Sequence, residues 1–182
     1  MKYISYEKFG VHFVRHAVTA ERVAASLTEM AGDRVEVGPS PAGPGNIASA
    51  TATGRIGAAR ITLDPGDLVR FMAVLPIDLD LDVRLGPVSN RFRADVEVPL
   101  ALTVRTAEPL TLVVEISNVI PSDVRVTLQP LSVGGDVLQR VGNMEAEVQS
   151  EVARTVNARL ISEEAKAARI IDVAALVEKS WG

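Results

Sequence analysis

Along most of the span from Ile47 to Gln129, apolar residues recur at every second position, a spacing that half-buried β-strands satisfy and helices do not. Asp78, Asp80 and Asp82 alternate with Leu79, Leu81 and Val83, so acids and aliphatics fall on opposite faces. A turn is expected at Gly86-Pro87-Val88-Ser89-Asn90. Beyond it Arg91, Arg93, Asp95 and Glu97 continue the polar face while Ala94, Val96 and Val98 continue the apolar one. Two further strands read from Leu110 to Ser117 and from Val124 to Gln129. Amphipathic strands joined by short turns predict an antiparallel sheet with one wet face. Several look longer than the usual five or six residues or so, and long twisted strands predict a sheet that curves around another element.

That element is expected just downstream. Asp136, after Gly134-Gly135, suits a helix N-cap, and a helix is predicted to about Ile161. Val137, Val141, Met144, Val148, Val152, Val156 and Leu160 recur at spacings of four and three, forming one slowly drifting stripe. Burying these seven at ~1.5–3 kcal/mol each supplies roughly 10–20 kcal/mol gross, much of it cancelled by ordering entropy. The opposite side is read as Gln139, Glu147, Gln149, Ser150, Arg154 and Asn157. On this reading Val148 is buried mid-stripe and Gln149 faces away.

The flanks are helical or irregular. Phe9, Val11 and Phe13 fit a strand, whereas Phe9, Phe13 and Ala17 fit a helix face, so that segment is open. Thr19 suits the cap of a helix over 20–30 with Val23, Leu27 and Met30 as its apolar line, stopped at Gly32. Three prolines and three glycines between Gly38 and Asn46 predict a loop. Ser162-Glu163-Glu164 resembles a helix start, Ile170-Ile171 a short strand, and Asp172 the cap of a last helix ending at Trp181.

Composition narrows the function classes. The 182 residues fit a single domain, with a core over about 19–161 and a C-terminal appendage over 162–182. The chain is 47% apolar but only 4% aromatic, which leaves few faces on which bases or sugars stack. Net charge is −4 and the cations are scattered, so nucleic acid is not an expected partner. No cysteine is present, which removes disulfides, thiolate nucleophiles and zinc-thiolate or iron–sulfur sites. The first residues lack the apolar core of a signal peptide, and no apolar run approaches the ~20 residues of a membrane span. The expected compartment is the cytoplasm.

Each motif that could carry chemistry has a plainer reading. His12 and His16 would share a helix face at metal-bridging spacing, but no His-Glu-x-x-His arrangement surrounds them, and surface or packed histidines are expected. Asp78-Leu79-Asp80-Leu81-Asp82 fails as a calcium loop because Val83 and Ser89 stand where Gly and Glu are needed. A solvated strand face pairing with Arg91 and Arg93 accounts for it. Gly54-Arg55-Ile56-Gly57 and Gly43-Pro44-Gly45 lack the length and context of a phosphate loop. No Gly-x-Ser-x-Gly elbow occurs. Trp181 suits a docking anchor for the C-terminal segment better than a membrane anchor, having no basic amphipathic surface around it. No catalytic residue, metal site or cofactor is expected.

The order of helix, curved antiparallel sheet and long amphipathic helix resembles the tubular lipid-binding (TULIP-like) superfamily, including small bacterial members of the YceB and LmeA type. The resemblance spans about Thr19 to Ile161 and rests on element order and the Val137-to-Leu160 stripe. Phe13-Val14-Arg15-His16-Ala17-Val18-Thr19 and Val137-Leu138-Gln139-Arg140-Val141-Gly142-Asn143 also look like stretches of uncharacterised actinobacterial proteins. In the superfamily, sheet and helix enclose an aliphatic groove for acyl chains, with no catalytic residues to carry over. The small bacterial members are exported or lipid-anchored. This chain shows neither a signal peptide nor an acylated cysteine, so the resemblance does not carry over envelope transport.

Three readings follow. The first is a binding protein that holds a lipid or other apolar small molecule between the sheet and the Val137–Leu160 stripe. The second is a structural or interaction protein with a closed core that acts as a homo-oligomer. The third is an enzyme or metal protein built on His12 and His16, which has the least behind it. The expected fold class is α+β, a long curved antiparallel sheet wrapped around a long C-terminal amphipathic helix, with an N-terminal helix.

Overall fold

The computed structural model describes the backbone of residues 1–31, 34–42, 48–64, 66, 68–131 and 138–181; side chains at 30, 31, 40–42, 85, 138–143 and 181 stand outside that description. Two helices open the chain, α1 (Tyr6–Ala17) and α2 (Ala20–Ala31). Six strands follow: β1 (Arg34–Ala42), β2 (Ala48–Ile56), β3 (Arg60–Asp64), β4 (Arg70–Leu85), β5 (Val88–Ala107) and β6 (Thr111–Ile116). A 3-10 turn at Pro121–Asp123 leads to a further strand, β7 (Arg125–Pro130), and then to α3 (Leu138–Leu160). The chain closes with α4 (Glu163–Ala168), β8 (Ile170–Asp172) and α5 (Val173–Trp181). The fold is α+β, with a strongly curled antiparallel half-barrel sheet and helices at both ends of the chain.

Two long strands form the spine of the sheet. β4 and β5 pair antiparallel from Arg70↔Thr103 to Leu85↔Val88. Their inward residues face each other in rows, among them Phe71↔Leu102, Leu75↔Val98, Ile77↔Val96 and Leu81↔Phe92. All eight are 6% exposed or less, so the period-2 pattern becomes one continuous buried face. The turn between the strands is tighter than the expected five residues. Gly86 and Pro87 alone make it, with Gly86 at φ 56°, the positive value that two-residue hairpins require at their first central position.

Neither flank of this spine is a single strand, and proline explains where each breaks. β2 pairs with β4 at 77–84 and β3 at 70–74, leaving 75–76 between them. β7 pairs with β5 at 92–97 and β6 at 102–107, leaving 98–101. Pro76 lies in the first gap and Pro99 in the second. A residue without an N–H cannot complete a ladder on both sides, so the flanking strand is interrupted beside it. Splitting both flanks lets strands change direction around the spine, and the right-handed twist then curls the sheet. β1 extends the sheet beyond β2, and β8 beyond β6.

The loop expected over Gly38–Asn46 is corrected by β1. Residues 38–42 continue that strand along β2, as Ser40↔Ala50 to Ala42↔Ala48, after a register shift between Val37 and Ser40. Residues 43–46 lie outside the described residues. Prolines are tolerated here because β1 is an edge strand, whose outer side needs no donor, and the shift takes up the irregular geometry at Gly38 (φ 98°). Gly54 has a different role in β2. A Cβ there would meet the Asp78 carbonyl oxygen and the Leu79 side chain, so the close approach to β4 excludes any other residue.

Local capping follows the sequence closely. The Thr19 hydroxyl accepts from the Arg22 N–H at 3.4 Å at the start of α2, whose Val23 and Leu27 are buried. Ser162 Oγ accepts from the Ala165 N–H at 3.2 Å to start α4, and Asp172 Oδ1 accepts from the Ala175 N–H at 2.9 Å to start α5. The open segment near the N-terminus is helical, with Ser5 Oγ as its cap. The last residues are tied to the body: Ile171 pairs with Leu112, and Val173 belongs to the buried cluster.

Candidate functional site

α3 lies over the inner face of the half-barrel, and its sequence makes it fit differently along its length. At ~100° per residue, each four-residue step rotates a side chain about 40° around the helix. Val156 and Leu160 therefore face the sheet squarely, while Val148 and Met144 have turned toward the β1–β2 side. Val152, Ala153, Val156 and Leu160 are buried, at 8% exposure or less; Val148 and Met144 are half-buried. The stripe rolls off the core.

Two different interfaces result. Around Val156 and Leu160, opposite Leu27, Ile56, Leu75 and Leu100, only about 30 Å³ of free space remains. A void that size holds one or two waters, so this half is solid core. Around Met144, Val148 and Val152 the helix stands off from Val37, Ala50, Ala52, Leu79, Leu81 and Val83, leaving a groove of about 430 Å³. Ala50 and Ala52 make the floor recede where larger side chains would fill it. The upper rim is polar, with Glu147, Ser150, Glu151 and Arg154. Arg154 Nε donates to Glu151 Oε2 at 2.9 Å, and this hydrogen bond holds the Glu151 carboxyl below its ordinary range. Arg154 offsets Glu151, and the groove itself presents aliphatic surface.

The seven residues expected to line a ligand thus separate. Met144, Val148 and Val152 line the groove, Val156 and Leu160 face the closed core, Val137 lies outside the described residues, and so does the Val141 side chain. Two residues read as outward-facing are corrected. Gln149 stands at the same angle as the core residues and donates Nε2–H to the Val124 carbonyl at 3.0 Å. Asn157 accepts from the Val119 N–H at 2.9 Å and donates to the Val119 carbonyl at 2.8 Å. Both amides dock α3 onto the segment around the 3-10 turn, satisfying main-chain groups that no strand pairs. Val148, read as fully buried, is a groove wall instead. A hydropathy count misses both amides because it scores them as solvent-seeking. Their spacing of eight, close to that of the apolar line, is the one signal that could have found them.

His12 and His16 stand on the exposed side of α1. No group of three or more His, Cys, Asp or Glu side chains gathers at metal-binding distance among the described residues. On the outer face of the sheet, Asp80 lies opposite Arg93 at 3.8 Å, and Asp82 accepts from Ser89 Oγ–H at 2.8 Å with Arg84 Nε at 3.4 Å. The Asp80–Arg93 and Asp82–Ser89 contacts cross the hairpin and Asp82–Arg84 lies along β4, all on the solvated face. No helix among the described residues is long and apolar enough to cross a membrane.

Fold and groove together define an α+β half-barrel that one helix closes along part of its length and leaves open along the rest. No protein-family model matches the chain, and no curated protein matches it either.

Proposed function

We propose that this protein binds a lipid acyl chain, or an apolar molecule of similar shape, in the groove between α3 and the β1–β2–β4 side of the sheet. One observation carries the reading: an aliphatic groove of about 430 Å³, floored by alanines beside an otherwise close-packed core. That volume falls within the range of roughly 300–1,000 Å³ common to small-molecule sites. Burying ten methylenes or so at ~0.8 kcal/mol each yields about 8 kcal/mol gross, enough for a micromolar complex before ordering costs. A TULIP-like relationship would fit the same groove and remains part of this proposal. So does a non-catalytic role, favoured because the rim's Glu151 is held by Arg154 rather than aimed at the groove.

Organic extraction of the purified protein followed by mass spectrometry tests the reading directly. Co-purified acyl lipid, and a rise in melting temperature on adding fatty acid, are expected. Ala50→Trp, which fills the floor, should abolish both while the protein stays folded. An empty extract with no thermal shift from fatty acids or phospholipids would favour the closed-core, homo-oligomeric alternative.

A further inference from the structure

The aromatic side chains of this chain are placed where a core would not use them. Among the described aromatic side chains, four Phe and two Tyr, only Phe71 and Phe92 are buried, each 3% exposed. Tyr3, Tyr6, Phe9 and Phe13 are all exposed: 89%, 96%, 58% and 38%. Tyr6, Phe9 and Phe13 recur at three and four along α1, on one face, and the two Phe rings stack with centroids 6.3 Å apart. Only Val14 of α1 is buried, and Arg15 ties the helix to the Gly66 carbonyl at 2.8 Å. The aromatic line is left facing solvent.

Charge identifies what it faces. The chain is net −4, yet its first 18 residues carry Lys2, Lys8 and Arg15 against the single acid Glu7. Lys8, His12 and Arg15 run beside the aromatic line at helical spacing, and neither Lys2 nor Lys8 makes an ion pair among the described residues. A cationic strip beside exposed aromatics on one helix is the pattern of a segment lying in a bilayer interface, where rings sit at headgroup level and cations meet anionic phosphates. A second copy of the chain fits less well. A two-fold contact along this helix would oppose like charges, and a strip of about 18 Å supplies far less than the roughly 800 Å² per partner of a stable dimer. We infer that α1 is a docking helix for an anionic lipid surface, with Tyr6, Phe9 and Phe13 entering the interface and Lys2 and Lys8 contacting phosphate. The inference stands on α1 alone and does not depend on an occupied groove.

Co-sedimentation of the full chain with vesicles of equal parts phosphatidylcholine and phosphatidylglycerol tests it. Binding is expected, roughly tenfold weaker to pure phosphatidylcholine because each basic residue near the surface contributes measurably, and weakened by added salt. The Phe9→Ser/Phe13→Ser variant should lose binding to both vesicles by roughly tenfold or more while keeping its circular dichroism and melting temperature. Should that variant misfold, Lys2→Glu/Lys8→Glu provides the second arm, losing binding to the anionic vesicles only. Ala50→Trp should bind vesicles like the parent, which separates this inference from the groove. Three results would overturn it: no wild-type binding, equal binding by wild type and aromatic variant, or loss of binding in Ala50→Trp. Sedimentation equilibrium showing a dimer that the aromatic substitutions dissociate would assign the strip to a second copy instead.

Discussion

Asn157 shows how much one side chain decides when it satisfies main chain that no strand pairs. Its amide answers both the N–H and the carbonyl of Val119, a buried residue on an irregular segment. Asn157→Ala should destabilise the protein by about 2–4 kcal/mol, because both groups lose a partner away from bulk water. Ser150→Ala on the groove rim should change stability by less than about 0.5 kcal/mol, and urea denaturation of the two variants checks the contrast. At the spine hairpin, the Ser89 hydroxyl bonded to Asp82 is the largest influence holding that carboxyl below its ordinary range, with Arg84 and Arg91 adding to it. A carboxylate whose folded pKa is depressed contributes stability above its unfolded pKa, and that contribution is lost as pH falls through the folded value. Ser89→Ala should therefore move the Asp82 titration upward, so the hairpin's pH-dependent share of stability should shrink and its loss on acidification be complete at higher pH. Carbon NMR titration of the carboxyl reads this directly; an unmoved Asp82 would show that the arginines set its range.

At the scale of elements, α3 is two helices in one. Its C-terminal half packs into the core and its N-terminal half walls a groove, because a repeat dominated by steps of four advances around a helix with 3.6 residues per turn. Val152→Asp should cost roughly 3–5 kcal/mol by burying an unpaired carboxylate, since Val152 is only 4% exposed. Val148→Asp, one turn earlier, should cost about 1–2 kcal/mol and act mainly on ligand uptake, because its side chain reaches the open groove. Equal thermal melts for these two variants would show that α3 is not rotated as described. The spine strands hold to a stricter rule: β4 and β5 keep one register over 16 pairs, and only their neighbours break, beside Pro76 and Pro99.

For the whole molecule, the issue is why a well-packed core ends in an open groove. An empty aliphatic groove forfeits burial that larger side chains would gain, so a protein with no use for the space should be stabilised by filling it. Ala50→Trp is expected to raise the melting temperature of delipidated protein by a few degrees and to remove the further rise on adding fatty acid. A fall instead would mean that the floor cannot accept the ring without moving β1 or β2.

Much of this architecture was legible before any coordinates. Strict alternation from Asp78 to Val98 determined two strands and their inward faces, because a period of two has only one amphipathic solution. Thr19, Ser162 and Asp172 marked three helix starts, since capping is a local bond between near neighbours. Residues that act at long range were hidden. Gln149 and Asn157 read as surface until Val124 and Val119 were brought beside them, and the prolines of β1 read as loop until the strand lay at an edge. Proline position within the sheet, and the angle at which a drifting stripe meets it, depend on what lies on the other side. The sequence by itself determined which residues share a face of each element; only the tertiary structure decided how far each face is covered, because coverage belongs to the partner element and not to the residues that await it.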